Sequence, residues 1–361
     1  MSRHIGIIGC GQLGQMLGLA ALRLNLRVSF LSLEETPVVT GLGDVFTAEH
    51  VDAFLAHCDV VTVEREAVPW QILVKADQLG KLRPSLYALE QLRNRDRQKA
   101  RLDALDIPTA PWKPVANHRE LATHLARLDA PFARCKQALG GYDGAGQWRA
   151  ARGATPDIPE RCFPLVVEQE VDIEAELSLL IARDQAGNVV CYPPVENHMR
   201  QGVLVWSYAP APIADELARQ MQQQAVRLAH SVEYVGVLAT EYFISGGKLL
   251  VNEVAPRVHN TGHWTIDASS CDQFDQHIRA VAGLALIPPR QCGAVAMGNV
   301  LGERLPTALP GSAVRMYVHT YGKSVRPGRK LGHLTLVAPT LDHARAAAQR
   351  VEAQILHDSC R

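Results

Sequence analysis

The chain has 361 residues, 37 of them basic and 37 acidic, with 47% apolar and 20% charged. A formal net charge of zero excludes the basic excess that holds nucleic acid or an anionic membrane surface, so any anion must be met by a local cluster. The length sets two or three domains with ample core, and no run nears the ~18 apolar residues of a membrane span.

The opening predicts strand, turn and helix. Ile5 to Ile8 is apolar, Gly9 to Gly14 turns, and Leu13, Met16, Leu17, Ala20, Ala21 and Leu24 recur at helical spacing. Val28 to Leu33 and Asp59 to Val63 read as further strands, so the first ~95 residues form a parallel α/β unit. A charged helix is expected from Leu89 to Leu105, ended by the prolines at 108 and 111. Strand-like residues flank a glycine cluster between Phe132 and Arg149, and two strands from Leu165 to Tyr192 are separated by Glu170 to Glu174. Asp215 to Glu233 is an amphipathic helix with Leu217, Met221, Ala225, Leu228 and Val232 on one side. Val235 to Ile244 and Leu249 to Val254 read as a β-hairpin. From Val295 the tail is strand-rich, turns at Pro327-Gly328 and closes with a helix from Leu341 to about Leu356. The eight cysteines form no C-x-x-C pair, as expected of reduced thiols in a cytoplasmic protein.

Gly9-x-Gly11-x-x-Gly14 lies where backbone amides and a helix dipole can hold a phosphate, and Glu34 stands near the place of a ribose-binding acid. This admits a Rossmann-type dehydrogenase using NAD, and equally a tight turn with close helix–sheet packing. Gly140 to Gly146 holds four glycines in seven positions, suited to bringing backbone amides close to an anion, with Lys136 on the strand before it. Because it runs into the strand-like Gln147-Trp148-Arg149, it is a hairpin loop, with or without a ligand, and no P-loop.

Glu241 and Glu253 lie on the two arms of the hairpin. A two-residue turn at Gly246-Gly247 pairs 245 with 248 and puts them on opposite faces. A three-residue turn from Gly246 to Lys248 pairs 245 with 249 and sets them directly across, within reach of one hard cation such as Mg²⁺. The second register is expected. Beyond it, Asn252 to His263 packs an acid, a cation, two histidines and two amides together; Arg257 suits an anion and His259 a proton. Lys323, Arg326, Arg329 and Lys330 surround the Pro327-Gly328 turn and suit a phosphate monoester or a solvated turn.

Seven segments in order carry a resemblance: GQLGQML from Gly11, Asn94-Arg95 with Lys99, PTAPW from Pro108, GGYDGAGQW from Gly140, EQEVDIEAELS from Glu168, NEVAPRVHNTGHW from Asn252, and RPGRKLGHLTL from Arg326. The chain resembles the N5-carboxyaminoimidazole ribonucleotide synthases, ATP-grasp ligases of purine biosynthesis. The resemblance implies an α/β ATP-grasp fold. Its parts would be a Rossmann-like preATP-grasp domain at 1–98, an ATP-grasp domain at 99–292 with a lid at about 112–170, and a small β-rich C-terminal domain at 293–361.

It also implies the chemistry. Bicarbonate would attack the γ-phosphate of ATP, and the carboxyphosphate formed would supply the carboxyl group captured by the amine of 5-aminoimidazole ribonucleotide. ATP would meet Arg95, Lys136, Gly141, Tyr142, Asp143, Gly144, Gly146, Gln147, Glu168, Gln169, Val171, Glu176, Asn252 and Glu253. Glu241 and Glu253 would hold Mg²⁺ or Mn²⁺, and Arg257 and His259 would be catalytic. The acceptor would meet Gln12, Leu13, Glu64, Tyr142, Asp143 and Asn260, with its phosphate on Lys323, Arg326, Arg329 and Lys330. The partners are small molecules, with neither nucleic acid nor membrane, and the assembly a homodimer. Three positions depart from the family pattern: Ala145 replaces a Lys or Arg, Met199 stands where E-N-x-H puts histidine, and Glu64 to Ala67 half-keeps E-F-E-N.

Overall fold

The computed structural model describes residues 3–34, 36–140, 146–302, 313–326 and 328–359. Strand β1 (His4–Ile8), helix α1 (Gln12–Arg23), β2 (Arg27–Ser32), β3 (Asp44–Thr47), α2 (Val51–His57), β4 (Val60–Val63) and α3 (Trp70–Gln78) build the N-terminal unit. Its four strands run in the order β3-β2-β1-β4, all parallel. Ile5, Ile7 and Phe30 pack with Leu17, Ala20 and Ala21 of α1, and the opposite face, with Ile8 and Leu31, packs on Phe54 of α2 and Leu73 of α3. Each of these buried isoleucine, leucine and phenylalanine side chains stabilises the fold by roughly 1.5–3 kcal/mol.

The helix expected from Leu89 to Leu105 is two helices, α4 (Leu86–Leu92) and α5 (Arg95–Ala104). The chain is extended at Asn94, which bridges to Leu139, while the Arg95 amide donates to the Ala138 carbonyl at 2.8 Å. Tertiary backbone pairing thus overrides helical propensity and aims α5 at the glycine loop.

A small antiparallel sheet follows. Strands β5 (Trp112–Val115), β6 (Phe132–Gln137), β7 (Gln147–Ala151) and β8 (Leu165–Gln169) pair in the order β5-β8-β6-β7, with α6 (His118–Ala126) alongside. The remaining strands are β9 (Ala175–Arg183), β10 (Val189–Cys191), β11 (Val195–Arg200), β12 (Val203–Ala209), β13 (Gly236–Ser245), β14 (Lys248–Ala255), β15 (Ala294–Leu301), β16 (Arg315–Thr320) and β17 (Lys330–Ala338). All nine belong to one sheet, ordered β14-β13-β9-β11-β12-β15-β17-β16 with β10 beside β9. The C-terminal strands therefore continue the central sheet through the β12–β15 ladder.

Helix α7 (Asp215–Ser231) lays Met221, Ala225 and Leu228 on this sheet. Helices α8 (Thr265–Ala268) and α9 (Gln273–Ala282) pack against its other side, and α10 (Leu341–Ser359) covers β15 and β17. His277 of α9 joins two sheets: Nδ1 accepts the Val237 amide at 3.0 Å, so the ring proton on Nε2 faces Thr62 Oγ1 of β4 at 2.7 Å. Cys10, Cys58, Cys135, Cys162, Cys191, Cys271 and Cys292 are free thiols. Among the described residues no helix is long and apolar enough to cross a membrane.

Candidate active site

The β13–β14 hairpin closes with a two-residue turn: Ser245 pairs with Lys248, and Gly246 and Gly247 take φ of +54° and +68°. Positive φ at both turn residues is the geometry glycine permits at no steric cost and the one that matches strand twist. The expected three-residue turn does not form. The two glutamates nevertheless face each other, because a β-bulge shifts the register: Tyr242 pairs with Val251 and Glu241 with Glu253, leaving Asn252 as the extra residue. The spare side chain is used, since Asn252 Oδ1 accepts Lys136 Nζ at 3.0 Å.

A third carboxylate joins this face. Glu241 pairs across β9 with Ser178, two residues from Glu176, so Glu176, Glu241 and Glu253 share one side of the sheet. Burial, then Glu253 and Glu176, push the Glu241 carboxyl up to about 7. Arg95 offsets part of this charge, with Nη2 lying 3.2 Å from both oxygens of Glu253. Its Nη1 donates to the carbonyls of Gln137 and Gly140, fixing it at the foot of the glycine loop.

Lys136 Nζ also meets Glu168 Oε2 at 2.9 Å, and Lys99 Nζ lies 3.1 Å from Oε1 of the same carboxylate. Burial alone would raise the Glu168 pKa; the two ammonium groups overcome it and hold it at about 2. Lys99 carried no assigned role in the sequence reading. The available signal was the inner face of α5, where Arg95, Gln98, Lys99 and Leu102 recur at helical spacing and are all buried. Gln98 clamps β14 on that face, accepting the Val254 amide at 2.9 Å and donating to its carbonyl at 2.8 Å.

Arg257 and His259 close the other side. Arg257 Nε donates to Glu66 Oε1 at 3.0 Å. Burial, then Arg257 and Lys330, hold the His259 imidazole well below its ordinary pKa. The Thr261 amide donates to His259 Nδ1 at 3.4 Å, placing the ring proton on Nε2, 3.5 Å from Glu241 Oε1. Asn260 Nδ2 is buried without a hydrogen-bond partner. His263 is buried away from the carboxylates, 3.0 Å from Gln273 Nε2.

The glycine turn at the N-terminus is filled from within the chain. Glu64 Oε1 accepts the Gly11 amide at 2.7 Å and Oε2 accepts that of Gly14. A Cβ added at Gly9, where φ is +114°, would stand 2.3 Å from Glu64 Cγ; at Gly11 it would stand 2.9 Å from Oε1. The glycines thus make room for an internal carboxylate at the helix N-terminus, where a dinucleotide phosphate would have to sit. Burial pushes the Glu64 carboxyl up, and the two amides pull the other way. Glu34 is committed to the Cys10 amide at 2.9 Å and to Arg65 at 2.7 Å. These contacts oppose the dehydrogenase alternative.

Lys323 donates to Gln12, joining the basic cluster to this turn, while Leu13 packs against the core that holds Ile5, Leu17 and Phe30. Arg329 Nη1 donates to Ser324 Oγ at 2.8 Å, and Arg326 is exposed. Gln147 begins β7, pairing with Lys136, and Gly146 accepts the Gln137 amide at 3.0 Å. Gln169 ends β8 and Val171 follows it, half-buried. Gly141, Tyr142, Asp143, Gly144 and Ala145 lie outside the described residues, as does Pro327. At the departure from E-N-x-H, the ladder shifts between His198 and Met199; His198 contacts Glu196 at 3.1 Å, and Asn197 pairs with Glu176. A separate group, Asp267, His319 and His333, brings together three residues of metal-ligating type. Its two rings stack at 4.5 Å and 14°, so their in-plane lone pairs lie in two nearly parallel planes, a poor setting for one shared ion.

Comparison with known proteins gives a consistent assignment in chain order. Residues 1–92 match the ribonucleotide synthetase preATP-grasp domain, 100–274 the ATP-grasp domain and 295–347 the phosphoribosylaminoimidazole carboxylase C-terminal domain. The chain is 37% identical to N5-carboxyaminoimidazole ribonucleotide synthase of Vibrio cholerae, covering 92% of this chain and 90% of that protein. An N5-carboxyaminoimidazole ribonucleotide synthetase solved as its ADP complex superposes with a TM-score of 0.90 at 31% identity, covering 97% of this chain and 96% of that one. The Aspergillus clavatus N5-carboxyaminoimidazole synthase, solved with ADP and 5-aminoimidazole ribonucleotide, gives 0.86 at 28% identity and 99% coverage of both chains. The chain belongs to the N5-carboxyaminoimidazole ribonucleotide synthase family of ATP-grasp enzymes.

Proposed function

We propose that the protein carboxylates the exocyclic amine of 5-aminoimidazole ribonucleotide, using bicarbonate and ATP and releasing ADP and phosphate, as a step of purine biosynthesis. The observation that carries the reading is the meeting of Glu176, Glu241 and Glu253 with Arg95 and Lys136 on one face beside the small sheet. Opposed acids flanked by cations suit a triphosphate carried by a metal ion, and few other ligands need both.

In this reading Arg95 and Lys136 turn onto the phosphates, Glu176 takes the ribose, and Glu168 to Val171 line the adenine. Glu241 and Glu253 fit a hard divalent cation: burial, then the neighbouring acids, push Glu241 up to about 7, and positive charge there relieves it. Mg²⁺ or Mn²⁺, when bound, would neutralise charge on the transferring phosphoryl group. A bicarbonate oxygen displaces ADP from the γ-phosphorus, and the resulting carboxyphosphate divides into CO₂ and phosphate. Arg257 offers its guanidinium to these anions, and neutral His259 donates a hydrogen bond from Nε2. The substrate amine then adds to the CO₂ carbon and loses one proton. Lys323, Arg326, Arg329 and Lys330 take the ribonucleotide phosphate, with Gln12, Leu13, Glu64 and Asn260 nearby.

Phosphate release from ATP with magnesium, measured with bicarbonate and the ribonucleotide each omitted in turn, tests the proposal. Release that rises with both supports it; release indifferent to the ribonucleotide opposes it.

A further inference from the structure

Lys136 Nζ is held by Glu168 at 2.9 Å and by Asn252 at 3.0 Å. If its ammonium serves nucleotide phosphates, it must turn from Glu168 as ATP enters. Glu168 is 4% exposed, and a buried carboxylate that loses its counter-ion is strongly destabilised.

A second ammonium is already in place. Lys99, 2% exposed, approaches the other oxygen of Glu168 at 3.1 Å, as an ion pair off the line of a good hydrogen bond. The other charged group across the ladder is Arg134 of β6, which is committed to Glu170 at 2.6 Å; Trp112 of β5 stands opposite Glu168 on the remaining edge. On the β14 side, Glu253 is paired with Arg95. Two buried cations on one carboxylate exceed what a static pair needs. The excess has a use if one of them leaves.

We propose that Lys99 is the standing counter-ion of Glu168, a positioning residue that keeps this carboxylate ionised while Lys136 moves onto the nucleotide phosphates. The inference rests on the assignment of Lys136 to ATP. It assigns Lys99 no contact with substrate.

With Lys99→Met, Glu168 would retain Lys136 in the free enzyme, and ATP binding would have to strip that pair or protonate the acid. Calorimetry of Mg-ATP binding in buffers of different ionisation enthalpy, near pH 7, reads both effects. The expected result is a dissociation constant raised about tenfold or more, with close to one proton taken up beyond wild type and affinity improving as pH falls. Lys99→Arg should bind as wild type and Lys99→Gln should behave as Lys99→Met, which separates charge from packing even if the Met variant folds poorly. Wild-type affinity and proton uptake in both uncharged variants would overturn the inference if Lys136→Met weakens ATP binding. Unchanged binding in Lys136→Met would overturn the Lys136 assignment and this inference with it.

Discussion

Glu253 faces Glu241 across the hairpin because Asn252 is one residue too many for the ladder. The turn alone would set Glu253 across from Thr240 and send its carboxylate to the opposite side of the sheet. Deleting Asn252 removes the bulge but leaves Glu253 next to Val251 and still across from Glu241, so ATP-dependent phosphate release should persist, with ATP KM raised about tenfold by loss of the Lys136 contact, while circular dichroism stays native. Asn252→Ala keeps the bulge and loses only the Lys136 bond, so about a tenfold rise in ATP KM is expected.

The turn at Gly9 to Gly14 should prove intolerant of any side chain. Gly9→Ala meets Glu64 Cγ at 2.3 Å and takes φ of +114°, a region L-residues rarely adopt. A loss of roughly 2 kcal/mol or more in urea unfolding is expected. Glu64→Gln keeps the volume but turns an amide NH₂ toward a backbone donor, for a loss of about 1–3 kcal/mol. Neither variant should bind NAD in equilibrium dialysis; measurable binding would reinstate the dehydrogenase alternative.

His277 gives the protein an acid limit. Burial holds its pKa at about 4, against 6.5 in a free histidine, so the unfolded chain binds more protons between those values. Stability is lost as pH falls from about 6.5 to 4, by about 3 kcal/mol if the imidazole stays neutral throughout. Protonation would also put a proton on Nδ1, where the Val237 amide donates. Denaturant titrations at pH 7 and pH 4.5 should show this fall, and it should shrink in His277→Gln.

Arg329→Ala and Lys330→Ala should raise the KM for the ribonucleotide by about tenfold each, through loss of a charge-assisted phosphate contact. ATP binding, followed by calorimetry, should be retained. Unchanged ribonucleotide kinetics in both would remove the phosphate assignment.

The N-terminal unit was legible because β1 and α1 announce their periods within twenty residues and pack on each other. The facing glutamates were legible as an outcome, though the stated cause was wrong. The bulged Asn252 bonds Lys136, more than a hundred positions away, and no local pattern encodes that. The glycine turn stayed ambiguous for the same reason, since the carboxylate that fills it comes from Glu64, fifty residues on. The break between α4 and α5 was invisible because Asn94 and Arg95 sit in a sequence that suits a helix; their bonds to Leu139 and Ala138 decide the matter.

The ladder between β12 and β15 makes the chain beyond residue 292 the completion of a shared sheet. A fragment ending at residue 292 would bare the Val203–Ala209 edge, whose backbone groups now pair with Ala296 and its neighbours. An uncovered edge rich in valine and aromatics recruits other strands, so such a fragment should self-associate rather than survive as a smaller enzyme.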